Sequence, residues 1–352
     1  MSNGIERTHS FCIAIIALVE HSPLLFTQSA GKQDFIMKST SPHSGQGQLL
    51  SHHSSAPDDH YATLDAVRSR IRQAGDLPGA TVEEQIAIAE ELATFDLGQF
   101  LLAHRGLNAH WTHQLVTYPS TSATRSSYSD LEKLIYERLP AVLATRERFG
   151  IFRQQLQSRL HDGMVFASVP CGLMGDLLLL DYSHHQDVRL IGVDLDLQAL
   201  EAANSLAKQQ HCDDRITLLQ CDAWSLQLPE PVDVLTSNGL NVYEPDDEKV
   251  TDLYRAFNQA LKPGGTLITS FMTPPPVLSA ESTWQVTEEE QRLLPLQHLL
   301  FSRILEARWT AFRTYSQTQR QLEQAGFSNI HFIDDRMRMY PTVIARKTEN
   351  VA

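Results

Sequence analysis

The chain has 352 residues, 42% hydrophobic and 20% charged, the balance of a globular protein long enough for one large or two small cores. A formal net charge of −13, with no Lys/Arg run to override it, excludes duplex nucleic acid and anionic membrane surfaces as natural partners. The four cysteines are scattered, without CxxC pairs or zinc-like spacing to histidine, so the expectation is free thiols, a cytoplasmic compartment and no metal site.

In chain order, residues 11–19 (FCIAIIALV) form an apolar run too short to span a bilayer. A mis-called start upstream of Met37 or a disordered tail is expected rather than a signal peptide, because Glu20 and His21 end the run without a clean cleavage site. Residues 38–59 are Ser-, His-, Gly- and Gln-rich, so the segment 1–59 is expected to lie outside the fold. Residues 60–160 then read as helical. Leu64, Val67 and Ile71 recur at helical spacing, and Thr81 with Glu84 forms a capping box opening one helix that runs to Gly106. A third helix starts at Ser129 and is interrupted at Pro140.

The pattern changes at Gly163. MVFASV (164–169), VRLIGVD (188–194), RITLLQCD (215–222), VDVLTSN (232–238) and TLITSFM (266–272) read as strands separated by helical stretches. They show little polar alternation, as strands buried on both faces do, and strands alternating with helices predict a doubly wound α/β sheet over 161–352. LMGDLLLLDY (173–182) and a long region near 287–325 read as helices; NIHFID and TVIARK read as a final strand pair.

Ligands of open α/β sheets bind at the carboxyl ends of the strands, so chemistry is sought there. After the first strand, Gly172 and Gly175 let a backbone approach a ligand closely. Asp194, about 20 residues on, is placed to accept from ribose hydroxyls or, alternatively, to cap the following helix. Asp222 and Ala223 end the third strand where an adenine amine could be read, and Asn238, Gly239 and Leu240 follow the fourth.

The ordered set GVDLD, QCDAW, DVLTSNGL and ALKPGGTLITS resembles the class I S-adenosylmethionine-dependent methyltransferases over residues 160–346. The resemblance implies a seven-stranded, mostly parallel Rossmann-like sheet with its last strand antiparallel, preceded by an all-α region acting as lid or substrate domain. It implies S-adenosyl-L-methionine as cofactor, bound by Pro170, Gly172, Gly175, Asp194, Leu195, Asp222, Ala223, Asn238, Gly239 and Leu240. Tyr243 and Glu244 fall where family members place substrate-side groups. The first loop departs from the family: the acid of its glycine motif falls on Ser168, its first glycine on Pro170 and its third on Met174. Asp176 is the candidate to supply the missing carboxylate.

Catalytic candidates are therefore Tyr243, Glu244 and His113, the last from a histidine set (His104, His110, His113) that packing also explains. Phe271, Trp284, Trp309 and Tyr315 fit an aromatic pocket or the core equally well. The expected activity is methylation of O, N or C in a small molecule, in specialised metabolism, with a homodimer as the candidate assembly. Two alternatives stand beside it: an NAD(P)-dependent oxidoreductase on a similar sheet, and a repurposed fold that binds the cofactor without transferring methyl.

Overall fold

A computed structural model describes residues 64–118 and 128–349; the N-terminal apolar run and the Ser/His-rich segment lie outside them. The first layer is helical: α1 (Leu64–Ala74), α2 (Val82–Leu92), α3 (Asp96–His104), α4 (Ala109–Thr117), α5 (Asp130–Glu137) and α6 (Pro140–Gln157). Thr81 caps α2 as expected, its hydroxyl accepting from Glu84 N–H while the Glu84 carboxylate accepts from Thr81 N–H. The single helix predicted to continue to Gly106 is instead two, α2 and α3. A Cβ at Gly98 would lie 2.0 Å from the Leu92 carbonyl oxygen, so α3 folds back onto the end of α2 where only glycine fits. Pro140 starts α6 at its first helical position, where its missing N–H costs no helical bond.

The sheet has seven strands in the order β3-β2-β1-β4-β5-β7-β6. They are β1 (Val165–Ser168), β2 (Arg189–Asp194), β3 (Ile216–Gln220), β4 (Val232–Ser237), β5 (Leu261–Ser270), β6 (Phe327–Ile333) and β7 (Thr342–Lys347). β1 to β5 pair in parallel; β7 runs antiparallel to both neighbours, closing the predicted strand pair. Each face buries its own core. Phe166, Leu190, Val234 and Ile268 pack under α6, α7 (Gly175–Leu178) and α8 (Leu197–Gln209). Val165, Ala167, Ile191 and Leu235 pack with Tyr254 and Phe257 of α9 (Asp247–Ala260) and Leu322 of α11 (Tyr315–Gln324). Burial on both faces explains the unbroken apolar runs.

Two predicted helices shrink. LMGDLLLLDY forms only α7, because Arg153 takes the Leu179 carbonyl and Gln157 brackets Asp181, donating to its carbonyl and accepting from its N–H. The stretch 287–325 divides into α10 (Glu288–His298), a π-turn at Leu299–Ile304, an extended piece and α11. The extended piece is claimed by tertiary bonds: Ala311 N–H donates to Val242 O and Arg313 N–H to Met272 O. This insertion joins the helical layer, with Arg303 bonding Gln85 and the Gly75 carbonyl, and Glu306 pairing with Arg70 and Arg105.

Candidate active site

Strand order reverses between β1 and β4, so the crevice for a ligand opens at their carboxyl ends. The β1 loop is fastened to β2 from within. Cys171 N–H donates to Val193 O at 2.8 Å, and Gly172 N–H to Asp194 Oδ2 at 2.9 Å. Gly172 has φ +51°, and Met174, at φ +58°, holds the left-handed region without being glycine. Its sulfur would sit 3.0 Å from a Cβ at Gly192, so Met174 fills the space between loop and β2 instead of opening it. Pro170 is half-buried at the start of this turn. Cys171 is buried and its thiol is pushed well up by that burial, which keeps it protonated and unreactive.

Asp194 is buried, and desolvation raises its carboxyl pKa. Oδ1 accepts from Asp196 N–H at 3.0 Å, and it is Asp196 that caps α8, through Gln198 N–H. The capping alternative for Asp194 therefore belongs to its neighbour. Each Asp194 oxygen takes one backbone N–H and keeps acceptor capacity for a ligand. Leu195 beside it is half-buried, its carbonyl accepting from Gln220. Across the strand ends, Asp222 caps the turn Ala223–Ser225 through Trp224 N–H, and Ala223 is buried beneath it.

The carboxylate missing at Ser168 is present one loop further on. Asp176 is buried, with Ser168 Oγ donating at 3.1 and 3.2 Å and Thr236 Oγ1 at 2.6 Å. It thus bridges the ends of β1 and β4. Burial raises its pKa, and the two hydroxyl donors oppose that shift.

Helix α4 lies against this loop: a Cβ at Gly172 would meet Ala109 at 3.5 Å, and one at Gly175 would meet His113 Nδ1 at 2.8 Å. Burial, then the neighbouring His110, lowers the His113 pKa, so the imidazole is neutral at pH 7. The other two histidines are placed elsewhere: His104 stacks on Phe100, and His110 sits against Trp111 and Gln114.

The β4 loop is built differently. Gly239 takes φ +94°, and Leu240–Tyr243 form a 3-10 turn with Leu240 half-buried. Asn238 Oδ1 is buried without a hydrogen-bond partner. Over Gly239 lies the guanidinium of Arg148, 3.8 Å from where a Cβ would stand. Burial pushes the Tyr243 phenol up to about 12, so it is a protonated donor at pH 7. Glu244 is occupied by its own loop, Oε1 accepting from Asp246 N–H at 2.9 Å and Oε2 lying 3.8 Å from Lys249 Nζ. The loop is clasped from behind by fully buried Arg313, which donates to Asp247 Oδ1, Asn241 O and Glu244 O at 2.9, 2.9 and 2.6 Å.

The structure therefore gathers Pro170, Gly172, Gly175, Asp194 and His113 at one loop and Asn238, Gly239, Leu240, Tyr243 and Glu244 at the other. Phe271 and Tyr315 pack edge-to-face with Phe332 in the core. Sequence reasoning missed Arg148, Thr236 and Arg313. Arg148 had a legible signal: it falls four residues from both Ala144 and Phe152, on the buried face of α6.

Residues 169–265 match the family model for a methyltransferase domain, and the strand order carries the same fold. Over that stretch the chain resembles the class I, Rossmann-like, S-adenosylmethionine-dependent methyltransferases, whose sheet it shares. A solved structure from Bordetella parapertussis, described as a possible exported protein, is 52% identical, covering 81% of this chain and 94% of that one with TM-score 0.75. The demethylmenaquinone methyltransferase of Lactiplantibacillus plantarum is 28% identical over 153 residues, 41% of this chain. The chain spans 61% of that curated relative's length. A methyltransferase structure from Clostridium acetobutylicum, 13% identical, covers 61% of this chain and 95% of its own with TM-score 0.42. Among the described residues no helix is long and apolar enough to cross a membrane.

Proposed function

We propose that this chain transfers the methyl group of S-adenosylmethionine to a small-molecule acceptor. The observation that carries the reading is the pairing of Gly172 N–H with the Asp194 carboxylate at the switch point, which leaves acceptor capacity on both oxygens for two ribose hydroxyls. The rest of the crevice fits the same cofactor. Asp222 and Ala223 stand at the adenine end, and the orphaned Asn238 Oδ1 awaits a donor at the methionine end, beside Gly239 and Leu240. The layer 60–160 then serves as lid, with α4 lying on the glycine loop.

The bound cofactor would supply an electrophilic methyl on a cationic sulfur. Attack by the acceptor forms one bond to that carbon while the C–S bond breaks and its electron pair stays on sulfur. The protein's part is to hold the two in line and keep water out, a contribution of proximity and orientation. An acceptor that must lose a proton needs a base. Neutral, half-buried His113 is the resting group able to take one; Tyr243 is already protonated and Glu244 is held by its loop.

The decisive experiment is calorimetry with S-adenosylhomocysteine and, separately, NADH. Binding of the first and not of the second is expected; the reverse would return the oxidoreductase alternative. Transfer of labelled methyl into a metabolite extract then distinguishes a transferase from a protein that only binds the cofactor. No labelled product in any extract tried would favour the latter.

A further inference from the structure

Arg148 is a buried cation at the crevice whose charge no carboxylate among the described residues answers by an ion pair. It projects from the buried face of α6, is 7% exposed, and forms no ion pair among the described residues. Nη1 makes one long hydrogen bond, 3.3 Å to Ser270 Oγ at the end of β5, and Nε is buried without a partner. Its plane is fixed by stacking over the Tyr340 ring, 4.9 Å from the centroid. The carboxylate whose field it feels most, Asp335, is already committed to three backbone N–H groups, those of Met337, Met339 and Tyr340. A purely structural guanidinium would be an expensive choice here, since a buried unpaired charge costs several kcal/mol and an apolar side chain of similar volume does not.

Position within the crevice says what would answer the charge. The cofactor residues lie over β3, β2 and β1, with the methionine end at β4. Arg148 stands on the far side, over Gly239 after β4 and Ser270 at the end of β5, with Tyr243 and Tyr340 contributing to its surroundings. That is the acceptor's side. We propose that the methyl acceptor is an anion, and that Arg148 binds its carboxylate. The proposal rests on the methyltransferase reading for the word acceptor, but the anion site itself does not. A guanidinium is suited to the task because its planar fork matches a carboxylate and it remains charged when desolvated. Bound there, the carboxylate fixes one end of the acceptor while the other reaches the reacting methyl. Arg148 is thus a specificity-determining residue and takes no proton.

The test is a panel of small carboxylates (acetate, benzoate, phenylacetate, 4-hydroxybenzoate) against their matched amides. Binding is measured by calorimetry or ligand-observed NMR, with and without saturating S-adenosylhomocysteine. At least one carboxylate should bind about tenfold or more tighter than its amide, the margin of one charge-assisted contact. Arg148→Gln should abolish that preference, Arg148→Lys should keep part of it, and both should bind S-adenosylhomocysteine within about threefold of wild type. If no carboxylate is preferred over its amide, or the preference survives in Arg148→Gln, the proposal fails. It also fails if Arg148→Gln weakens S-adenosylhomocysteine about tenfold but leaves 5′-methylthioadenosine, which lacks the amino-acid end, unchanged: the guanidinium then holds the cofactor's own carboxylate. Should Arg148→Gln not fold, the wild-type carboxylate-to-amide ratio and the lysine variant still decide. Failure of the methyltransferase reading looks different: S-adenosylhomocysteine would not bind the wild type, while the carboxylate preference could persist.

Discussion

The loops after β1 and β4 face each other across the switch point and are finished to different degrees. In the first, the polar groups that reach into the turn are satisfied from inside the protein: Cys171 and Gly172 bond to β2, and Asp176 is held by Ser168 and Thr236. In the second, Asn238 Oδ1 and the neighbouring Arg148 Nε are buried and left over. Buried polar groups are rarely abandoned, so the difference separates a rigid floor from a surface completed by what binds it. It also accounts for the departures in the glycine motif. Met174 fills a gap with sulfur where the family has glycine, and the carboxylate moved from Ser168 to Asp176 still reaches the end of β4.

The largest effect should come from removing what holds the open loop in shape. Arg313→Met deletes three hydrogen bonds to Asp247, Asn241 and Glu244 at a fully buried position; it leaves the Glu244 carbonyl unpaired and Asn241 O with only the long bond from Glu244 N–H. A loss of about 3 kcal/mol in unfolding free energy is expected by denaturant titration. An unchanged midpoint would mean the β4 loop holds itself, and the contrast between the loops would lose its footing. Next is Asp194→Ala, which strips both the ribose acceptor and the anchor of Gly172. Two charge-assisted bonds of about 1.5 kcal/mol each give roughly a hundredfold loss in S-adenosylhomocysteine affinity. A loss below threefold, about 0.6 kcal/mol, would place the ribose elsewhere.

What the sequence disclosed follows the same division. The sheet was legible because its strands are apolar on both faces and its turns carry Gly, Asp and Asn at their ends. Asp194 and Asp222 could be found by counting from those turns. The break at Pro140 was legible, but that between α2 and α3 was not, since it depends on Gly98, inside α3, lying against the Leu92 carbonyl and not on local propensity. Asp176 could be proposed as the substitute carboxylate, but not its partners, the Ser168 hydroxyl on β1 and that of Thr236 on β4, 60 residues along the chain. Arg148 and Arg313 act through partners brought together by tertiary structure, which no local window contains.

Smaller effects test the closed loop. Gly175→Ala would put a methyl 2.8 Å from His113 Nδ1 and 3.0 Å from Cε1. The contact is the end of a side chain, so His113 should swing away at a cost of about 1 kcal/mol. The readout is a fall in methyl transfer exceeding the fall in S-adenosylhomocysteine affinity, if His113 is the base. Equal falls would make it a packing residue.

The smallest and most discriminating change is Asp176→Asn. Its folded-state pKa is raised by burial, so over the window from the ordinary carboxylate range up to the raised value the native protein binds more protons than the unfolded chain. Stability contributed by this group is therefore full at the acid end and is lost as pH rises through the folded pKa. The amide cannot ionise, so it should gain on the wild type as pH rises across that window and then hold a constant difference. Against that gain stands a lost acceptor: both hydroxyls reach Oδ2 and can stay on an amide oxygen placed there, but the NH2 at the Oδ1 position no longer accepts and the remaining bonds lose their charge, at a cost of about 1 kcal/mol. Denaturant unfolding of the pair between pH 4 and 7 separates the two contributions, because only the first depends on pH. A difference between variant and wild type that is flat from pH 4 to 7 would show that the hydroxyl and backbone donors offset the desolvation of Asp176 and that burial does not raise its pKa.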